Sequence, residues 1–321
     1  MKPTFTMLIG LPASGKSTWA KEHMDEDSRW LSSDYIRDEL FGKRDTSPEE
    51  NVKVFGKLHV RTMKHLLKGR NVIYDATNIN KKSRINYLKR LNSDLAGEKC
   101  YKKCIWFLTD YELCCVRNKE REEREVVPDY KLKSMYHKFQ PPHISEGWDE
   151  IKIIVDAPLE KYNGADMFKE AKKFEQHNPH HTLTLGEHLF KTASYIEEKD
   201  GCIALKWAAI LHDVGKMKTQ TKGEDGVCHY YNHENVGAYD SLFYVLNALK
   251  QTGFKVETQH LGDDSFPNVN PLLNISNLIY YHMAPYNWEK NEKAKERAYK
   301  LLGDEMFKQI YLLHEADEYA H

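Results

Sequence analysis

The chain opens with Thr4-Phe5-Thr6-Met7-Leu8-Ile9-Gly10-Leu11-Pro12-Ala13-Ser14-Gly15-Lys16-Ser17-Thr18, an apolar β-branched run leading into glycines, a lysine and hydroxyls. The run predicts a buried strand, and the residues after Thr18 predict a helix. Between them lies G-x-x-x-x-G-K-S, in the strand-loop-helix setting that gives this spacing its meaning. Glycines let backbone N–H groups wrap a phosphate, and a helix N-terminus adds positive potential. Gly10, Ser14, Gly15, Lys16, Ser17 and Thr18 are therefore expected to hold a nucleoside triphosphate. Lys16 would reach its β/γ phosphates and Ser17 would ligate Mg²⁺.

Downstream, Arg29–Ser32, Asn71–Tyr74, Cys104–Leu108 and Ile151–Val155 repeat the strand pattern between long amphipathic segments. This alternation predicts an α/β domain with a parallel sheet. The chain has 321 residues, and at roughly 100–200 residues per domain that is room for two. The turn-forming stretch after Asp156-Ala157-Pro158 puts the expected boundary near residue 160, giving domains 1–160 and 161–321. Beyond it Thr184–Glu198, Cys202–Asp213, Glu234–Thr252, Asn270–His282 and Glu292–Tyr319 read as helices, so the second domain is expected to be all-α.

The net charge of −1 hides an asymmetry: residues 1–160 hold 29 Lys+Arg against 25 Asp+Glu, residues 161–321 hold 18 against 23, and 11 of the 16 histidines lie at or after His177. Phosphate chemistry in front and metal chemistry behind is the expectation. No apolar run nears the roughly 18–20 residues of a membrane span. The N-terminal residues read as a strand rather than a leader, and six cysteines without a CxxC pair fit a reducing compartment, so a cytoplasmic protein is expected.

In a parallel sheet the carboxyl ends of neighbouring strands open onto one crevice. Asp34, after the second strand, is the candidate base for an acceptor hydroxyl, with Arg37 one turn later to meet an anionic acceptor. An N-cap aspartate beside a solvated arginine is the plain alternative. Asp75, ending the third strand, could orient Mg²⁺-bound water or the acceptor, or form an Asx turn. Arg117 and Arg121, four apart, would share one helical face and could close over the transferred phosphate; a solvated mixed-charge helix is the alternative.

The series GLPASGKSTWA (10–20), SSDYIRDEL (32–40), DATNINKKSR (75–84), ELCCVRNKER (112–121) and VPDYKLKSMYHKF (127–139) resembles the 5′-hydroxyl polynucleotide kinases of phage and bacterial end healing. The resemblance implies that Lys16 and Ser17 bind donor phosphates and Mg²⁺, Asp34 is the general base, Arg37 contacts acceptor phosphate, and Arg117 with Arg121 form the lid. Acidic Glu122-Glu123 departs from the smaller residues expected there.

In the second half, Thr184-x-x-Glu187 reads as a capping box that sets His188 in the first turns of a packed helix. The apolar run Cys202–Leu211 ends in His212-Asp213, where unpaired polar groups would be costly. LGEH (185–188), HDVGK (212–216), NHENVGA (232–238), YYH (280–282) and HEADEYA (314–320) resemble the HD phosphohydrolase superfamily. That resemblance implies that His188, His212, Asp213 and Asp317 bind a first metal, His233 with His282 a second, and Lys216 faces substrate phosphate. The donor set suits Mn²⁺, Fe, Co²⁺, Ni²⁺ or Zn²⁺. His177, His180 and His181 could line the pocket.

Together these readings predict a bifunctional end-healing enzyme: a kinase for 5′-OH ends using ATP or another NTP with Mg²⁺, and a metal-dependent hydrolase for 2′,3′-cyclic phosphate or 3′-phosphate ends. Its substrates would be RNA or DNA ends, sealed afterwards by a separate ligase, with no membrane involved. The alternatives are a nucleoside or small-molecule kinase fused to an HD nucleotidase, and a nucleotide-sensing regulator.

Overall fold

The computed structural model describes residues 2–179, 182–253 and 271–321. In chain order its main elements are β1 (Thr4–Ile9), α1 (Lys16–Glu22), β2 (Ser28–Ser32), α2 (Ser33–Phe41), α3 (Pro48–Leu66), β3 (Asn71–Asp75), α4 (Lys81–Asp94), β4 (Tyr101–Thr109), α5 (Tyr111–Lys119), α6 (Asp129–His137) and β5 (Glu150–Asp156). They continue with α7 (Gly164–Ala171), α8 (Leu185–Glu198), α9 (Ile203–Leu211), α10 (Lys216–Thr219), β6 (Thr221–Lys222), β7 (Cys228–His229), α11 (His233–Gln251), α12 (Pro271–Tyr281), α13 (Pro285–Trp288), α14 (Glu292–Leu302) and α15 (Asp304–Tyr319). Two compact units result. One holds the residues up to Met135 with Pro142–Ala157; the other holds Tyr136–Pro141 and the described residues from Pro158 onward.

The first unit is a five-stranded parallel sheet in the order β2-β3-β1-β4-β5. β1 lies at its centre, and Phe5, Leu8 and Ile9 are fully buried, which is why this strand reads as a continuous apolar run. The register sets Asp75 beside both Leu8 and Ser32, bringing the ends of β1, β2 and β3 to one edge. Gly15, at φ 90°, makes the left-handed turn from loop to α1.

The second unit is helical. Thr184 and Glu187 form the capping box at the start of α8. α9 packs against α8, α11, α12 and α15. Behind it the turn at Gly215 presses on α11: a Cβ there would lie 2.1 Å from the His233 carbonyl oxygen, so a side chain at 215 would push the helices apart.

One expectation needs correction. Residues 292–319 are two helices, because Gly303, at φ 81°, caps α14 and turns the chain. The second unit also carries a small antiparallel hairpin, β6-β7, with strands too short to leave an alternation in the sequence. Asn270, His180 and His181 lie outside the described residues.

Candidate functional sites

In the first unit the phosphate loop is built around Lys16. Its ammonium donates to the carbonyls of Gly10 (3.0 Å) and Leu11 (2.6 Å) and to Ser14 Oγ (3.2 Å), which holds the loop in a ring. Gly10 N–H donates to the Thr77 carbonyl, and Thr109 Oγ1 to that of Ser14, so strand ends on both sides buttress the loop. Burial lowers the Lys16 pKa; nearby Asp75 opposes that shift and Arg121 adds to it. Ser17 Oγ donates to Asp75 Oδ2 at 2.8 Å, and Trp30 Nε1 donates to the same oxygen at 3.1 Å. Burial raises the Asp75 carboxyl even though Lys16 and these two donors pull it down. A hydroxyl and a buried carboxylate side by side at a phosphate loop are the groups that organise Mg²⁺ in nucleotide sites. Thr18 is exposed in the first turn of α1.

Asp34 stands at the start of α2 without capping it, because the cap is Ser32, whose Oγ accepts from Asp34 N–H. Its side chain is half exposed and accepts from Arg37 at 2.8 Å. Arg37 is largely buried and also donates to Ser33 Oγ, Thr46 Oγ1 and Asn51 Oδ1, which fixes the guanidinium. A second arginine, Arg44, reaches the other Asp34 oxygen at 3.2 Å. No sequence pattern marks it, since it lies in the connection between α2 and α3.

Arg117 and Arg121 do not share a helical face, because α5 ends at Lys119. Arg117 pairs with Asp156 at 2.6 Å, at the tip of β5. Arg121 lies beyond the helix, donates to the Glu125 carbonyl and acts electrostatically on Lys16.

In the second unit, His188 from α8, His212 and Asp213 from the end of α9, and Asp317 from α15 converge, all buried. Asp213 also meets His233, at the start of α11, and His282, just after α12. Asp213 Oδ2 lies 3.2 Å from His188 Nε2 and 3.4 Å from His212 Nε2. Its Oδ1 lies 3.2 Å from His233 Nε2 and 3.5 Å from His282 Nε2. Asp317 Oδ1 closes the first group, 3.1 Å from His188 and 3.4 Å from His212.

The donor chemistry tests whether a cation fits. His212, His233 and His282 each set Nδ1 against a backbone carbonyl, at 2.9, 2.8 and 2.6 Å, and His188 does so at 3.5 Å. A carbonyl only accepts, so Nδ1 carries the proton and the neutral ring points an Nε2 lone pair inward. His188 and His212 then face each other at 3.1 Å, and His233 and His282 at 3.2 Å, lone pair against lone pair and all against carboxylates. That arrangement requires positive charge. Burial alone would lower the pKa of His212, but Asp213 and Asp317 outweigh it and push the group up to about 10. Both carboxyls are held well below their ordinary range although burial acts to raise them. The residues fit divalent cations with mixed nitrogen and oxygen coordination.

Lys216 is buried and donates to Asp213 Oδ2 at 2.6 Å and to Gln176 Oε1 at 2.9 Å. Tyr230 lies beneath its ammonium and donates to the Gln176 carbonyl, and His321 stacks on His188 with its Nε2 3.6 Å from Asp317. Gln176, Tyr230 and His321 carry no motif, so reading the sequence missed them. His177 is exposed, beside Glu175.

The comparisons fall into the same two parts. The model of the AAA domain family matches residues 5–142, and that of the HD domain family matches residues 181–320. Similar solved structures include a chain of the Pnkp1/Rnl/Hen1 RNA repair complex, at 23% identity and TM-score 0.36 over 42% of this chain and 43% of that one. A second Pnkp1/Rnl/Hen1 structure is 23% identical at TM-score 0.32 over 38% and 44%. A candidate kinase from Chloroflexus aurantiacus is 16% identical at TM-score 0.35 over 42% and 75%. The chain thus spans less than half the length of the first two. Its first part matches the AAA domain model and its second part the HD domain model.

Proposed function

We propose that the chain heals nucleic-acid ends, phosphorylating a 5′-hydroxyl with its P-loop domain and hydrolysing a 2′,3′-cyclic phosphate or 3′-phosphate with its HD domain. The observation that carries this reading is the presence in one chain of an acceptor-type carboxylate, Asp34, braced by two arginines near a phosphate loop, and a buried His/Asp cluster fit for divalent cations. An ATPase has no need of the first, and a simple kinase has no need of the second. The domain boundary near residue 160 belongs to the same proposal.

In the kinase half, the acceptor hydroxyl gives its proton to Asp34 and attacks the γ-phosphorus in line, and the β–γ bridging oxygen leaves with the bond electrons on the nucleoside diphosphate. Arg37 holds Asp34 and would meet acceptor phosphate by exchanging one of its present acceptors for it. Lys16 leaves its loop carbonyls for the donor phosphates, with Arg121 and, once released from Asp156, Arg117 offsetting the charge that builds up. Ser17 and Asp75 are the residues that would hold Mg²⁺.

In the HD half, His188, His212, Asp213 and Asp317 would hold one cation, and His233, His282 and the second oxygen of Asp213 another. Bound there, divalent cations would supply Lewis-acid polarisation of the phosphoryl group and a lowered pKa for attacking water. Lys216, seated on Asp213 and Gln176, fixes the orientation of the shared carboxylate. The metal is one of Mn²⁺, Fe, Co²⁺, Ni²⁺ or Zn²⁺.

The net charge of −1 favours a second reading in which the acceptors are nucleosides or other small molecules. Competition separates the two: labelled γ-phosphate is offered to 5′-OH oligonucleotides and to nucleosides together. Preferential labelling of oligonucleotides supports end healing, whereas labelling of nucleosides alone moves the assignment to the small substrates.

A further inference from the structure

Arg44 touches three carboxylates: Asp34 at 3.2 Å, Asp38 at 2.8 Å and Glu125 at 3.0 Å. The first two belong to α2, on the acceptor side. The third lies on the segment after α5, where its backbone carbonyl accepts from Arg121 Nη1 at 3.3 Å. The charge of Arg121 also acts to lower the Lys16 pKa, after burial. A continuous series of contacts therefore runs from Arg121 through Glu125 and Arg44 to the candidate base. Lys131, on α6, pairs with Asp45 at 2.7 Å, a further tie to the connection between α2 and α3.

The geometry favours a working role over simple surface pairing. The Arg44 side chain is only 19% exposed, and its Nε–H is buried with no acceptor among the described residues. A planar fork reaches three carboxylates on two segments at once; an ammonium, as a point charge, holds such an array poorly.

We propose that Arg44 and Glu125 are positioning residues that link the lid over the donor to the aim of Asp34, so that NTP and the 5′-hydroxyl acceptor strengthen each other's binding. When Arg121 turns to the donor phosphates, the Glu125 segment moves with it and resets Arg44, which orients Asp34 toward the hydroxyl. This inference rests on the kinase reading above.

Binding of a labelled 5′-OH RNA oligonucleotide to the full chain, with and without Mg²⁺ and β,γ-imido-ATP, tests it. In the wild type the analogue is expected to tighten RNA binding about 5–10-fold, and in Arg44→Ala or Glu125→Gln by less than about 2-fold. The double variant is expected to match either single one, as for residues that act through one contact. If Arg44→Ala melts early, Arg44→Lys keeps the charge without the fork and is expected to lose the same synergy. Absence of synergy in the wild type, or synergy retained in the variants, overturns the proposal while phosphate transfer by the wild type keeps the kinase reading standing. A wild type that labels no 5′-OH acceptor, or undiminished transfer by Asp34→Ala, defeats that reading and this proposal with it.

Discussion

Asp34 and Asp213 are both carboxylates set among cationic or imidazole groups, yet their surroundings suit them to different work. Asp34 is half exposed and braced by Arg37 and Arg44, and so remains open to an incoming hydroxyl. Asp34→Ala is expected to lower phosphate transfer by about 10²–10⁴-fold while leaving NTP affinity intact, as read by steady-state labelling and by nucleotide titration. Asp213 is buried, and each of its oxygens faces one pair of histidines. Asp213→Ala is therefore expected to abolish tight binding of both cations, and His282→Ala only that of the second, when metal content is measured after dialysis. Equal losses in the two variants would contradict the shared-carboxylate arrangement.

At the scale of elements, the turn between α9 and α11 is the tightest constraint on the HD site. Gly215→Ala would force a carbon into the His233 carbonyl, so a loss of about 1–3 kcal/mol in stability is expected by denaturant unfolding, with weakened metal binding because His233 starts the displaced helix. The first unit has an acid-sensitive point at His143, which is buried and whose pKa is lowered from 6.5 to about 4 by desolvation, with Lys81 adding to the effect. The folded form resists a proton that the unfolded chain accepts, so its contribution is full above pH 6.5 and fades as pH falls toward 4. A decline of about 2–3 kcal/mol across that window is expected, absent in His143→Gln. These elements also separate what the sequence made legible from what it hid. β1 and the phosphate loop could be read because burial on both faces leaves an uninterrupted apolar run and the loop needs fixed glycines. His188, His212 and Asp317 could be found through family spacing together with helix periodicity. Arg44, Glu125, Gln176 and Tyr230 could not, because their partners are brought to them by the folded backbone rather than by neighbours in the chain. The break at Gly303 was hidden because the apolar pattern continues on either side of it.

For the whole molecule, two sites built from separate residue sets imply separable activities. Asp34→Ala is expected to leave metal-dependent hydrolysis unchanged and Asp213→Ala to leave phosphate transfer unchanged, each within about 2-fold, as for sites that share no residue. No helix among the described residues is long and apolar enough to cross a membrane. The most direct test of the account incubates the chain with γ-labelled ATP, Mg²⁺ and an RNA that carries a 5′-hydroxyl and a 2′,3′-cyclic phosphate, with and without Mn²⁺ or Ni²⁺, and analyses both ends of the product. The account predicts label at the 5′ end in Mg²⁺ and loss of the cyclic phosphate once the transition metal is added. An RNA unchanged at both ends, with ATP still bound to the protein, would contradict it.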